Sequence, residues 1–368
     1  MSSVWVVQPY VPGYRVPFFE SLAADLATSD VELNVVAGRA RDDQLLRGDA
    51  AHPDWLHVAR DRQLRAFGRT VTLTSTRRYW RSAAAVVVPH MGSSLDALSA
   101  LVVPASAKVG VWGHIAPYVS PPHPLDAAIE QWQLRRADRV FAYTPGGADF
   151  AVRAGVDPIR VTTVMNATNS EDLGARLEAI GGSDTRAFRS KWRLPAGPIV
   201  CYVGGLDATK RIALLARALD VLFAKGSNLH LVVAGNGAQV DLLADAVSRG
   251  QATLVGHVVD DEKARLLAMS HAIACPGRVG LVAVDGLVAG IPVVTTASSY
   301  HAPEIEYLRE GESLVTTRDR PSDYAAALER IAEMPRRDGQ WNYPTLAGMV
   351  ANFSAGIREM LSERSRGR

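Results

Sequence analysis

Short apolar runs of strand character alternate with amphipathic stretches of helical period from one end of the chain to the other. That alternation predicts parallel sheets covered by helices rather than an all-α or all-β protein. In the first half, 4–7 and 31–36 read as strands on either side of a helix over 17–26. Further buried strands are expected at 84–88, 108–112, 140–143 and 161–164, with helices over 125–136 and 147–154. The polar stretch Asn166-Ala167-Thr168-Asn169 closes this series, and a charged, helical connection follows. A second series then starts at 199–203, continues through 229–234, 252–255 and 272–275, and ends at 292–295. The expected architecture is α/β: two Rossmann-like domains, 1–168 and 185–347, with parallel sheets facing across a cleft. Ligands of such sheets sit at the carboxyl ends of strands, where the strand order reverses. A last helical pattern, carried by Leu346, Met349, Val350, Phe353 and Ile357, runs on over 348–368. Its apolar face fits either domain, including a return onto the first.

A chain of 368 residues, 48% of them hydrophobic, has enough apolar material for two cores. Its formal charge of +2 lacks the basic surplus that nucleic-acid binding needs. The basic end Arg364, Arg366, Arg368 reads as a frayed, solvated tail. Cys201 and Cys275 each lie inside an apolar run, as buried hydrophobes in a reducing compartment rather than as a disulfide or a metal pair. Met1-Ser2-Ser3 leads straight into the first strand without a secretory pattern, and no apolar run reaches membrane-spanning length. A soluble, cytoplasmic protein is expected. The histidines are scattered without paired-ligand spacing, so no metal and no cofactor are expected.

Two segments carry candidate chemistry. In 276–296, Gly277 and Gly280 allow close backbone approach to a ligand. The amides of Gly280, Leu281 and Val282 open a helix whose dipole favours an anion. Asp285 projects from the first turns of that helix, Gly290 and Pro292 end it, and a β-rich strand follows. The second segment, 204–211, follows the strand at 199–203. Gly204 and Gly205 give backbone access, Lys210 supplies a compact charge and Arg211 a forked one, a combination suited to a phosphate pair. Locally, both segments also fit plain αβ turns with a solvated Lys-Arg pair.

Taken in order, Val203-Gly204-Gly205-Leu206 with Lys210, then Val232-Val233-Ala234-Gly235-Asn236-Gly237, then Val255-Gly256-His257-Val258, then 276–296, resemble the retaining glycosyltransferases of family 4, which have the GT-B fold. Tyr10 and Tyr14-Arg15-Val16-Pro17-Phe18-Phe19 are similar to that family's first loop and helix. The resemblance implies a nucleotide-diphosphate sugar as donor, Lys210 against its diphosphate, Asp285 on the ribose hydroxyls and the turn through Val258 beside the base. It implies His114, which follows a strand, beside the transferred sugar. Where the family has an arginine this chain has Gly205, and Arg278 or Arg211 is a candidate replacement. Where the family has two glutamates, Gly277 and Asp285 stand. His301-Ala302-Pro303-Glu304-Ile305 resembles a branch in which PGxVGL and HxPEI occur together, making His301 and Glu304 candidates for the cleft. Gly13 and Arg15 are candidates for the acceptor side. The basic and aromatic run Arg77-Arg78-Tyr79-Trp80-Arg81 suits either anionic lipid headgroups or a solvated loop end. The implied reaction is transfer of a sugar, with retention, to a hydroxyl of a sugar, lipid-linked or small-molecule acceptor, by front-side attack with the leaving phosphate taking the proton. Its setting would be the synthesis of a polysaccharide, glycolipid or glycosylated metabolite. A GT-B-like epimerase or phosphorylase, or a catalytically silent nucleotide-sugar-binding partner, are the competing expectations.

Overall fold

The computed structural model describes residues 1–41, 43–66, 69–103, 106–119, 123–297, 300–336 and 339–362. The chain divides into two compact units. The first comprises Met1–Arg41, Asp49–Thr168 and the chain from Thr345 on; the second is Asn169–Pro344 with the short segment 42–48.

In the first unit, β1 (Ser2–Gln8), β2 (Val31–Ala37) and β3 (Leu56–Val58) are followed by a hairpin of β4 (Arg62–Ala66) and β5 (Arg69–Leu73). Then come β6 (Ala85–Pro89), β7 (Lys108–Gly113), β8 (Arg139–Ala142) and β9 (Val161–Thr163). Seven strands form one parallel sheet in the order β3-β2-β1-β6-β7-β8-β9, which reverses direction between β1 and β6. Both faces are covered, which is why these strands read as nearly continuous apolar runs. Along β1, Val4 and Val6 face a core with Phe18, Phe19 and Phe353, while Val7 faces another with Val36, Val86 and Val88.

The helix Leu346–Ser362 belongs to this unit. Phe353 stacks on Phe141 at 4.5 Å between ring centroids. A Cβ at Gly356 would stand 2.6 Å from the Phe141 ring, so glycine there lets the helix lie close to the sheet. Lys108 Nζ donates to the carbonyls of Met360 (2.8 Å) and Leu361 (3.3 Å), a cation satisfying the helix's last acceptors. The basic tail 364–368 lies outside the described residues.

The second unit holds β10 (Ile199–Val203), β11 (His230–Ala234), β12 (Ala252–Gly256), β13 (Ser270–Ala274), β14 (Val293–Thr296) and β15 (Leu314–Thr317). They form a parallel sheet in the order β12-β11-β10-β13-β14-β15. Ile199 and Cys201 face one core, Val200 and Tyr202 the other.

Three features depart from the sequence expectation. The second sheet does not end at β14: the edge strand β15 continues it, four residues long and too short to stand out as an apolar run. The first unit adds the short β3 and the β4–β5 hairpin. The run 77–81 is not simply a surface patch. Residues Arg77–Trp80 form a helical turn, and the Trp80 side chain is fully buried with Nε1 donating to Thr76 Oγ1 (3.1 Å). Arg78 meanwhile covers the Tyr79 ring at 4.8 Å. Among the described residues no helix is long and apolar enough to cross a membrane, and no group of three or more His, Cys, Asp or Glu side chains is gathered to hold a metal ion.

Candidate active site

The second sheet reverses its order between β10 and β13, so the loops leaving their carboxyl ends stand side by side. The two loops are joined through backbone and lysine: Arg278 N–H donates to the Thr209 carbonyl (2.9 Å), and Lys210 Nζ donates to the Arg278 carbonyl (2.5 Å). Gly277 makes this fit possible. A Cβ there would lie 2.3 Å from the Thr209 carbonyl oxygen and 2.4 Å from the Lys210 carbonyl carbon. A carboxylate side chain at 277 is therefore incompatible with this loop pairing, and the glycine that stands where the resembled family has a glutamate is a packing requirement. Behind it, Thr296 Oγ1 donates to the Pro276 carbonyl (2.9 Å) and Thr295 Oγ1 to that of Gly277 (3.3 Å).

The β10 loop is fixed from its other side as well. Gly204 N–H donates to the Ala234 carbonyl and Leu206 N–H to that of Asn236, both at 2.9 Å. A Cβ on Gly235 would come within 1.9 Å of the Gly204 carbonyl oxygen. The Asp207 carboxylate accepts from Thr209 N–H (2.9 Å), opening the short turn Ala208–Lys210.

The turn after β13 runs into the helix Val282–Ala289, with Leu281 at its N-cap and Gly290 in the left-handed region at its C-terminus. Among the described residues, the amides of Gly280, Leu281 and Val282 have no acceptor. Three unpaired donors at the positive end of a helix, two residues on from the carbonyl that Lys210 holds, are the kind of arrangement that suits an anion.

His301 and Glu304 border this turn. The His301 Nδ1 accepts from Val279 N–H (3.2 Å) and Ala302 N–H donates to the Val279 carbonyl (2.7 Å), docking the segment 301–304 on the turn. Burial, followed by the nearby Lys210 charge, holds the His301 pKa below its ordinary value, so the ring is neutral at pH 7. Glu304 is buried, with Oε2 only 3.9 Å from where a Gly280 Cβ would sit, so its carboxylate borders the same turn. Val258 is buried just beyond β12.

Arg211 and Asp285 have partners that sequence reasoning missed. Arg211 adopts the left-handed conformation (φ 57°, ψ 44°), pairs through Nη2 with Asp319 and donates from Nη1 to Thr296 Oγ1 (2.8 Å). Asp285 forms an ion pair with Lys263, Nζ to Oδ1 3.0 Å, from the helix Asp260–Met269. The acid side chain is 9% exposed and the lysine 22%, so the ammonium is the more accessible end of the pair. A lysine one turn into a charged helix carries no signal in sequence that separates it from solvated neighbours. The Cys275 thiol lies 3.5 Å from the Arg278 carbonyl, and burial raises its pKa, which keeps it a thiol rather than a nucleophile.

In the first unit, His114 follows β7, with its ring 5.2 Å from that of Tyr143 and 6.5 Å from that of Tyr118. Gly147 allows the helix Pro145–Arg153 to approach: a Cβ there would be 2.6 Å from the His114 carbonyl oxygen. Gly13 is exposed and donates its amide to the Asp49 carbonyl (2.7 Å). Arg15 is not an open loop residue. It is 4% exposed, with its guanidinium between 5.2 and 5.8 Å from the ring centroids of Tyr14, Phe18, Trp112 and Tyr143, and it donates to Asn166 Oδ1 (2.5 Å). His90 and Glu130, which the sequence did not single out, meet at the end of β6. The His90 Nε2 lies 3.1 Å from the Glu130 carbonyl, and Gly92 N–H donates to Glu130 Oε1 (3.0 Å). Burial pushes His90 down to about 4 and raises Glu130.

Two α/β units, each a doubly wound parallel sheet, define the fold class of the GT-B glycosyltransferases. Residues 197–334, which contain the β10 loop and the turn after β13, match the family model described as Glycosyl transferases group 1. The chain is 26% identical over 181 residues to the 2-deoxystreptamine glucosyltransferase of Streptomyces kanamyceticus, an alignment covering 46% of each chain, so it spans about half of that relative's length. Among solved structures it is similar in fold to a glycosyltransferase from Rickettsia africae (TM-score 0.70, 12% identity, 99% of both chains). It is likewise similar to Anabaena HepE in complex with UDP and glucose (TM-score 0.65, 12% identity, 99% of this chain and 100% of that one).

Proposed function

We infer that this protein is a glycosyltransferase that moves a sugar from a nucleotide-diphosphate sugar to an acceptor hydroxyl, with retention and without a metal ion or cofactor. One observation carries the reading: three amides at the start of the helix Val282–Ala289, without an acceptor among the described residues, follow the turn whose Arg278 carbonyl Lys210 holds, at the strand-order reversal of a domain matching group 1 glycosyltransferases. As the bond from sugar to phosphate breaks, negative charge develops on the leaving diphosphate. Donors already held at that point lower the barrier because they need no reorganisation during the reaction. Here Lys210 and the amides of Gly280, Leu281 and Val282 take that role, with Gly204, Gly205 and Arg278 bordering the phosphates. Asp285 lies on the ribose side, Val258 flanks the base, and His301 and Glu304 border the transferred sugar. In the first unit His114 is the catalytic candidate beside the transferred sugar, and Gly13 and Arg15 are the candidates for the acceptor side. The leaving phosphate takes the proton of the attacking hydroxyl, so no separate general base is required. The acceptor is a sugar, a lipid-linked or a small-molecule hydroxyl compound, as in the synthesis of a polysaccharide, glycolipid or glycosylated metabolite. The protein works in the cytoplasm, with peripheral contact to a membrane when the acceptor is lipid-linked.

The test is a thermal-shift screen with UDP, GDP and ADP, followed by incubation with the matching nucleotide sugars and analysis of products in the presence of a chelator. A native-state ligand at 100 times its Kd raises stability by about 2.7 kcal/mol, readily visible as a higher Tm. Absence of any shift from a folded protein would contradict the reading, as would loss of transfer on chelation alone. Formation of an epimerised or phosphorolysed sugar without an acceptor would replace it.

A further inference from the structure

Arg211 reads in sequence as a second phosphate ligand beside Lys210, but its guanidinium is turned to other work. One end is paired with Asp319, beyond β15, and the other donates to Thr296 Oγ1 at the end of β14. That same hydroxyl donates to the Pro276 carbonyl at the entrance of the turn after β13. The side chain thus ties the β10 loop to three other loops at the carboxyl edge of the sheet. The backbone points the same way, since Arg211 holds a left-handed φ of 57° that a side chain disfavours and glycine accepts freely. Strain of this kind persists only where surrounding contacts over-determine it.

We propose that the Arg211–Asp319 pair is a positioning device: it locks the end of the turn Ala208–Lys210 so that the Lys210 ammonium stays over the turn 277–280, where it meets a terminal phosphate. The proposal rests on the donor-site reading above and adds the chemistry of one subsite. Lys210 would discriminate a nucleoside diphosphate from a monophosphate, and Arg211 would act on that discrimination without touching the ligand.

Three variants separate this from direct phosphate binding and from a purely structural role. Arg211→Gly removes the clamp and relieves the left-handed backbone, so it folds with a Tm close to wild type. Asp319→Asn breaks the clamp but leaves the guanidinium in place. Arg211→Lys keeps a charge but cannot reach both partners. Binding of UDP, GDP and ADP and of the corresponding monophosphates is measured by calorimetry, using the base that the wild type binds. The expected result is a loss of about tenfold in diphosphate affinity for both Arg211→Gly and Asp319→Asn, an intermediate loss for Arg211→Lys, and monophosphate affinity changed less than twofold. Unchanged diphosphate affinity in Arg211→Gly overturns the proposal. So does equal weakening of mono- and diphosphates, and so does tighter binding by Asp319→Asn, which would make the freed guanidinium a direct ligand. A wild type that binds no nucleotide at all removes the donor-site reading itself, an outcome distinct from the three above.

Discussion

Replacing Gly277 with alanine adds a single methyl carbon, and the structure sets where it must go. That carbon would lie 2.3 Å from the Thr209 carbonyl oxygen, 2.4 Å from the Lys210 carbonyl carbon and 2.6 Å from its Cα. Ordinary contacts between such atoms begin near 3.4 Å, so the two loops must part by roughly 1 Å. The neighbours are backbone, which cannot step aside as the end of a flexible side chain can. Overpacking of this kind costs about 1–3 kcal/mol. At about 2–4 °C per kcal/mol for a unit of this size, Tm should fall by roughly 2–12 °C. The local consequence is larger than the global one, because the separation falls on the Arg278–Thr209 and Lys210–Arg278 bonds that hold the ammonium in place. A displacement of about 1 Å at a reacting centre can lower turnover about a hundredfold. Calorimetry of unfolding, nucleoside-diphosphate affinity and transfer rate together check the chain of reasoning. If Gly277→Ala, or Gly277→Glu, kept the wild-type Tm and affinity, the packing explanation for the glycine would be refuted.

Four further outcomes are expected. Lys210→Ala should weaken nucleoside-diphosphate binding by at least tenfold with little change in Tm, read by calorimetry, since a charged donor's hydrogen bond contributes about 1.5–3 kcal/mol. Asp285→Asn should destabilise the second unit by about 1–2 kcal/mol, because it leaves the partly buried Lys263 without its counter-charge; Asp285→Leu with Lys263→Met should recover most of that loss in a denaturant titration. Arg15→Met should cost roughly 2 kcal/mol, through loss of the Asn166 hydrogen bond and the aromatic contacts, read as a lower denaturation midpoint. Acidification should destabilise the fold through His90, whose folded pKa of about 4 lies below the ordinary 6.5. The unfolded chain then binds more protons between those values, so the stabilisation is complete above pH 6.5 and up to about 3 kcal/mol is lost as the pH falls toward 4. His301 acts in the same direction. In His90→Asn the stability curve should flatten over this range.

Much of the fold was legible in the chain because strands buried on both faces announce themselves as apolar runs. Strands such as Ile199–Val203 and His230–Ala234 agree with the expected positions to within a residue. Short strands at or near the sheet margins escaped, since Leu56–Val58 and Leu314–Thr317 are half-exposed and too brief to build a pattern. The turn after β13 and the helix start that follows it were legible because glycine spacing and a helix start are local features. The roles of Arg211, Lys263, His90 and Glu130 were not, because each is defined by a partner from another segment: Asp319, Asp285, Glu130 and Gly92 respectively.

Gly277 marks the boundary between the two kinds of knowledge. The sequence by itself determined that a glycine-bearing turn precedes a helix with one acid, since glycine spacing, helix polarity and hydrophobic period are properties of neighbouring residues. Only the tertiary structure decided that this glycine faces the backbone of the Lys210 loop, that Arg211 holds a threonine and an aspartate instead of an open anion site, and that Asp285 already has a lysine. Those outcomes depend on which loops the strand order places side by side, and strand order is set by packing among distant segments.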